Sequence, residues 1–231
     1  LFRSAMLSMA IRRFTDAGLV YIGMDHFALH EDSLSVAKRQ GRLHRNFQGY
    51  STHADCDLIA LGISSIGKVG PTYSQNVKTL DEYYDIIDNH KLPVMRGLEL
   101  TADDLLRRAI IQALMCHFEI SFESLEIAYL IDFKSYFKEE IELLREYERE
   151  GLLTLNEQSM SVSPKGRLLI RTICMVFDKY LRQERERQRR MLAFLLSTPA
   201  YAATLKRKGW HELSDGLRAL VELSAAPRER L

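Results

Sequence analysis

Apolar residues at the head of the chain recur with a helical period. Leu1, Phe2, Ala5, Met6, Met9, Ala10 and Phe14 share one face, which predicts a helix over 1–17 that Gly18 stops. The run "LVYIG" (19–23) reads as a short buried strand. "EDSLSVAKRQG" (31–41) reads as a helix with acids at its start and Gly41 after its end. Residues 42–55, "RLHRNFQGYSTHAD", show little periodicity and predict a polar loop. "CDLIALGISSIG" (56–67) has the pattern of a strand buried on both faces. A turn over "GPTYSQN" (70–76) and a helix over "VKTLDEYYDIIDNH" (77–90) follow. This alternation predicts βα units around a parallel sheet. Ligands of such sheets gather at the carboxyl ends of strands, so loops 24–30 and 66–76 are expected to share that face.

The pattern changes after Leu98. "LTADDLLRRAIIQALMCHF" (100–118) predicts a helix with Thr101 as N-cap, acids in its first turn and an apolar stripe. A shorter helix over 121–131 and a strongly amphipathic one over 132–151 follow. Residues 152–163 alternate around a polar turn, like a hairpin, and a long helix over 164–196 opens on Pro164. Helices, a small hairpin and another helix describe a winged-helix-like module. "STPAYAATLKRKGWHELSDGLRALVEL" predicts two further helices broken at Gly209, with Trp210 in a local core.

Composition narrows the functions this pattern can serve. The 231 residues carry 32 Lys and Arg against 31 Asp and Glu, a net charge of +1 with no global pull toward nucleic acid or acidic lipid. At 46% hydrophobic and 27% charged residues the chain has the balance of an ordinary soluble protein. No apolar run approaches a bilayer span, so no membrane partner is expected. The first helix lacks the apolar core of a secretory signal, and no initiator Met precedes it. It reads as an internal helix of a longer chain. Cys56, Cys116 and Cys174 are odd in number and widely spaced, which points to a reducing compartment rather than a disulfide framework.

Candidate chemistry concentrates between Asp25 and Cys56. His26, His44, His53 and Cys56 lie there with Asp25, Glu31, Asp32 and Asp55. No HxH, HExxH or CxxC spacing is present, so the residues read either as loop groups satisfied by backbone or as contacts to a substrate or cofactor held mainly elsewhere. In "NFQGY", Gln48 offers a donor and an acceptor, and Gly49 lets a backbone approach a ligand closely. Ile66, flanked by Gly62 and Gly67, suits a flat, adenine-sized group or simple strand packing. A winged helix also raises DNA binding. Against it, the segment 132–150 holds Asp132, Glu139, Glu140, Glu142, Glu146, Glu148 and Glu150 against Lys134, Lys138, Arg145 and Arg149. The run "QERERQRR" (183–190) reads as a solvated helix face.

The blocks "YIGMDHFAL", "GRLHRNFQGYSTHADCDLIALGISSIG", "YSQN", "MRGLELTADDLLRRAIIQALMC" and "SPKGRLLIRTICMVFDKYLR" closely resemble the oxygen-independent coproporphyrinogen III oxidases. These are radical S-adenosylmethionine enzymes of haem biosynthesis. The resemblance covers about residues 1–183. It implies α/β architecture followed by mostly α. Residues 1–97 would be the last βα units of a partial (β/α) barrel and 98–182 a helical C-terminal domain, with 183–231 an added helical tail. It further implies a cytoplasmic, monomeric enzyme that oxidatively decarboxylates two propionates of coproporphyrinogen III to give protoporphyrinogen IX. A separate electron donor serves it. A [4Fe–4S] cluster held by CxxxCxxC cleaves S-adenosylmethionine, and the 5′-deoxyadenosyl radical abstracts a propionate hydrogen.

By position, Gln48 and Ile66 match family residues that contact S-adenosylmethionine, while His26 and Tyr50 are expected near the substrate. Two departures accompany the resemblance. CxxxCxxC is absent, and the three cysteines cannot replace it because a cluster needs three converging thiolates. No metal ligand is therefore expected in this chain, which reads as a fragment inactive alone. Residues 184–225 instead resemble the C-terminal end of luciferase-like flavin- or deazaflavin-dependent oxidoreductases. Two alternatives from other classes stand beside the oxidase: a non-catalytic porphyrin- or haem-binding or interaction protein, and a winged-helix nucleic-acid binder.

Overall fold

The computed structural model describes residues 2–54 and 56–197. The predicted helices around Gly209, Trp210 and most of the flavoenzyme-like tail lie outside the described residues. Residues 1–177 form one unit and 178–231 a second.

The amphipathic head folds as α1 (Phe2–Asp16). Gly18, at φ +85, closes it by donating to the Thr15 carbonyl, and Leu19 donates to Phe14. The chain then makes the hairpin β1 (Val20–Gly23) and β2 (His26–Ala28). In α2 (Ser33–Arg39) the Asp32 carboxylate accepts from the Leu34 N–H, as the acids at its start predict. Residues read as a loop form a second hairpin, β3 (His44–Arg45) and β4 (Tyr50–Ser51). Its turn is fastened by the Asn46 side chain, which accepts from the N–H groups of Gln48 and Gly49.

The next stretch departs most from expectation. The apolar run 56–67 is no buried strand: Ile59 is 69% and Leu61 80% exposed. Gly62 (φ +93) and Ser64 (φ +55) bend the backbone out of the extended region. The Asn76 side chain then ties the Ala60 and Gly62 carbonyls. A three-stranded sheet follows, from β5 (Ile66–Val69), β6 (Thr72–Asn76) and, after α3 (Leu80–Asp88), β7 (Val94–Glu99), in the order β5-β6-β7. Residues 70–76 are thus mostly strand rather than turn. Every strand pairing among the described residues is antiparallel, so the expected parallel sheet is corrected. In the hairpins, connections as short as Met24–Asp25 and Gly70–Pro71 permit nothing else; β7 returns antiparallel to β6 after α3. Loops 24–30 and 66–76 accordingly belong to different sheets.

The second half follows its prediction more closely. Helix α4 (Ala102–His117) starts with a capping box between Thr101 and Asp104 and stops at Phe118, held left-handed at φ +62. Then come β8 (Glu119–Ser121), α5 (Phe122–Tyr129), α6 (Phe133–Tyr136), α7 (Lys138–Arg149), and the hairpin β9 (Leu153–Leu155) and β10 (Ser159–Val162). The sheet order β8-β10-β9 gives the winged-helix-like topology. Helices expected to be continuous are broken. Residues 132–151 divide at Phe137, whose ring packs tilted against Phe133 at 4.9 Å and edge-on against Phe177 at 5.5 Å. Residues 164–196 divide into α8 (Pro164–Arg167), α9 (Ile170–Cys174), a 3-10 turn (Met175–Phe177) and α10 (Lys179–Ser197). The breaks let Ile170, Ile173, Val176 and Phe177 all reach one core.

That core is large and lies in the helical half, around Leu106, Ile110, Leu114, Phe118, Phe133, Leu144 and Met160. A smaller one gathers Ile22, Ala28, Ala37, Leu43 and Cys116. Buried charge is paired: Arg107 bonds Glu140 at 2.8 Å, Asp103 at 2.9 Å and the Phe177 carbonyl at 3.2 Å.

Two substitutions test this packing. A Cβ on Gly166 would collide with the Leu152 carbonyl, so Gly166→Ala is expected to cost about 1–3 kcal/mol in urea unfolding. Glu140→Ala removes the more buried of the two carboxylates on Arg107 and leaves it Asp103 and the Phe177 carbonyl, so a loss of roughly 1.5–3 kcal/mol is expected. In the double variant Arg107→Met/Glu140→Leu most of that loss should be recovered.

Candidate functional site

The two N-terminal hairpins meet α4 at Tyr50. Its hydroxyl crosses the backbone of β1 and donates to the Met115 carbonyl at 3.0 Å. Only Gly23 allows this path, because a Cβ there would collide with the Tyr50 hydroxyl. The His26 ring meets Tyr50 edge-on at 5.2 Å, and its Nδ1 pairs with the exposed Asp25 carboxylate at 2.9 Å. Gly49, at φ +145, sits against the other ring nitrogen. The residues expected near substrate, His26 and Tyr50, are therefore brought into direct contact. Burial pushes the Tyr50 hydroxyl pKa well above its ordinary value, so it acts as a neutral donor.

Gln48 lies in the same turn, exposed, with its backbone N–H already committed to Asn46. Its side-chain amide is left to face outward. Ile66 is in another sheet, half-buried and paired with Gln75. The link between the two is Phe47, which packs edge-on against Tyr73 of β6 at 5.2 Å. Beside them lies a cavity of about 360 Å³ lined by His44, His53, Cys56, Asp57 and Lys68. It gathers three residues singled out from sequence. Among the described residues, however, no three His, Cys, Asp or Glu side chains are placed to hold a metal ion.

Several contributors were not legible as such. Gln112 of α4 clamps the Arg45 backbone, accepting its N–H at 3.2 Å and donating to its carbonyl at 2.5 Å. The Lys38 ammonium donates to the Tyr21 and Ile22 carbonyls, both at 2.6 Å, and stands 5.2 Å over the Phe118 ring. Burial first, and the neighbouring Arg167 second, bring its pKa down to about 8. Arg167 stands 4.8 Å over the same ring, and Arg45 4.9 Å over Tyr50. The only sequence signal was the presence of Arg45 inside the block that holds Gln48. Lys38 and Arg167 lie in helices whose partners a linear reading does not supply.

Residues 100–169 match a family described as the HemN C-terminal domain. The chain is 47% identical over 176 residues to the oxygen-independent coproporphyrinogen III oxidase of Pseudomonas aeruginosa, covering 76% of this chain and 38% of that protein. To the Salmonella typhimurium oxidase it is 46% identical over 183 residues, 79% and 40% of the two chains. The solved structure of coproporphyrinogen III oxidase (HemN) from Escherichia coli, described as a radical SAM enzyme, matches with a TM-score of 0.73 at 44% identity. The match covers 76% of this chain and 40% of that one. The chain thus spans about two fifths of the length of these relatives. With identity this high over three quarters of its residues, and with a matched domain enclosing α4 and the winged-helix-like hairpin, the chain belongs to the oxygen-independent coproporphyrinogen III oxidase family.

Proposed function

We propose that this chain serves the cytoplasmic, oxygen-independent oxidative decarboxylation of coproporphyrinogen III to protoporphyrinogen IX. The observation that carries the reading is identity of 44–47% to oxidases of this name across three quarters of the chain. Residues 1–97 are assigned to the C-terminal portion of a partial (β/α) barrel and 98–182 to the helical C-terminal domain. S-adenosylmethionine fits the hairpin face: the Gln48 amide supplies a donor and an acceptor, and Ile66 supplies an apolar edge. When bound and reductively cleaved, that molecule supplies the oxidant that takes hydrogen from a propionate. His26 and Tyr50 stand on the substrate side, Tyr50 as a neutral ring fixed by the hydrogen bond its hydroxyl donates to the Met115 carbonyl.

A [4Fe–4S] cluster does not fit the cysteines of this chain. Cys56 is exposed, while Cys116 and Cys174 sit in separate core clusters. Burial pushes the Cys116 thiol up to about 11 and that of Cys174 up to about 12, whereas cluster ligands are thiolates. A nucleic-acid role is disfavoured by α7, whose surface carries Glu139, Glu142 and Glu146. Among the described residues no helix is long and apolar enough to cross a membrane.

A chimera tests the assignment. With residues 1–183 replacing the matching part of the Salmonella typhimurium relative, anaerobic protoporphyrin formation should stay within about tenfold of the parent rate. A folded, cluster-loaded chimera without activity would refute the reading. Within that chimera, Gln48→Ala should raise KM for S-adenosylmethionine about five- to tenfold, the worth of one hydrogen bond, and leave KM for coproporphyrinogen III unchanged. Thiol labelling of the isolated chain at pH 8 checks the cysteines. Cys56 should react at once and the other two only in denaturant, since roughly one Cys116 in a thousand is thiolate there.

A further inference from the structure

Among the described residues, two guanidiniums at the seam between the N-terminal hairpins and the helical core have no counter-ion. The Arg167 Nε and the Arg45 Nη1 are shielded from solvent without a hydrogen-bond partner. Among the described residues neither side chain makes an ion pair. Both are held by rings instead, Arg167 over Phe118 and Arg45 over Tyr50. Lys38 adds a third cation over Phe118, and two of its three donors are spent on backbone carbonyls. The nearby acid, Asp25, is exposed and paired with His26.

Such an arrangement is costly by itself. Like charges repel across a partly desolvated seam, and shielded N–H groups go unsatisfied. The contrast lies within the same unit, where Arg107 is matched by two carboxylates and a carbonyl. A guanidinium offers a planar fork of donors that matches a carboxylate in two bonds. Lys38 stands over the half-buried Tyr21 ring and Arg45 over Tyr50, against which the half-buried His26 ring packs edge-on.

We propose that Arg45 and Arg167 are anchor points for carboxylates of the tetrapyrrole, each binding one acid group of the substrate. The identity of the ligand rests on the function proposed above; the carboxylate chemistry rests on the two unpartnered guanidiniums.

Coproporphyrin III, an air-stable tetra-acid, is the probe, titrated by fluorescence into the full chain. Its tetramethyl ester and citrate are the controls. The tetra-acid should bind at least about tenfold more tightly than the ester, which offers no charge to the arginines. Arg45→Gln and Arg167→Gln should each weaken the tetra-acid about tenfold and leave the ester unchanged, with Arg167→Lys recovering part of the loss. The ligand-free melting temperature of Arg167→Gln should stay within about 4 °C of the parent, since the lost ring contact is offset by removal of an unpaired charge; a larger fall would mark a structural role and count against the proposal. Arg45→Gln, in another element, provides the independent measurement if Arg167→Gln does not fold. Equal binding of the tetra-acid by wild type and both variants overturns the anchors and leaves the proposed function standing. Citrate binding as tightly as the tetra-acid, in an arginine-dependent way, keeps the anchors and overturns the tetrapyrrole. Failure of the wild-type chain to bind any of the three overturns the proposal.

Discussion

Helix α4 is buried on two sides, and the first unit depends on that. Leu106, Ile110 and Leu114, one turn apart, enter the large core, each worth about 1.5–3 kcal/mol in removed apolar surface. Cys116, two residues past Leu114, turns instead into the small core with Ile22 and Ala37. From the same helix Gln112 holds the backbone of β3, and the Met115 carbonyl receives Tyr50. A helix with 3.6 residues per turn can address two neighbours at once only if both faces are satisfied. Here one face is apolar and the other mixes a thiol, an amide and an open carbonyl. The hairpins that carry His26, Gln48 and Tyr50 are positioned by that second face.

The polar groups of the unit divide by how they are satisfied. Arg107 donates to the Asp103 and Glu140 carboxylates and to the Phe177 carbonyl, joining α4, α7 and the 3-10 turn. Their role is to hold elements together. Arg45 and Arg167 touch aromatic rings and keep shielded donors without acceptors.

Stability is unevenly distributed. The large core sits almost wholly beyond residue 105, whereas from Ile59 to Leu98 many apolar side chains face solvent. That stretch is ordered chiefly by hydrogen bonds. Asn76 ties two carbonyls, Gln75 reaches the Ser64 carbonyl and receives Arg96, and three strands pair in register. Local opening is accordingly cheapest there. The S-adenosylmethionine candidate Ile66 lies in this more pliable region, and Gln48 lies in a turn tied to it through Phe47 and Tyr73.

How much of this was legible differs between the halves. The capped α4, the hairpin at 152–163 and the short strand at 20–23 follow from caps, periodicity and glycine stops, all of which act over a few residues. The family was legible too, because the resemblance rests on long blocks such as that around "NFQGY", and residue types are read directly from the chain. The run 56–67 misled because apolar composition says nothing of whether a partner lies within reach, and Gly62 and Ser64 bend the chain before it can pair. The breaks at Phe137 and after Arg167 were invisible for the opposite reason: distant rings and core contacts outweigh a helical pattern worth only tenths of a kcal/mol per residue, about 0–0.7. Residue types, local caps and family membership were thus determined along the chain. Strand direction, the meeting of His26 with Tyr50, and the placing of Arg45 and Arg167 against rings with no ion-pair partner among the described residues were decided only by tertiary packing, because each depends on which side chains distant segments bring within a few ångströms.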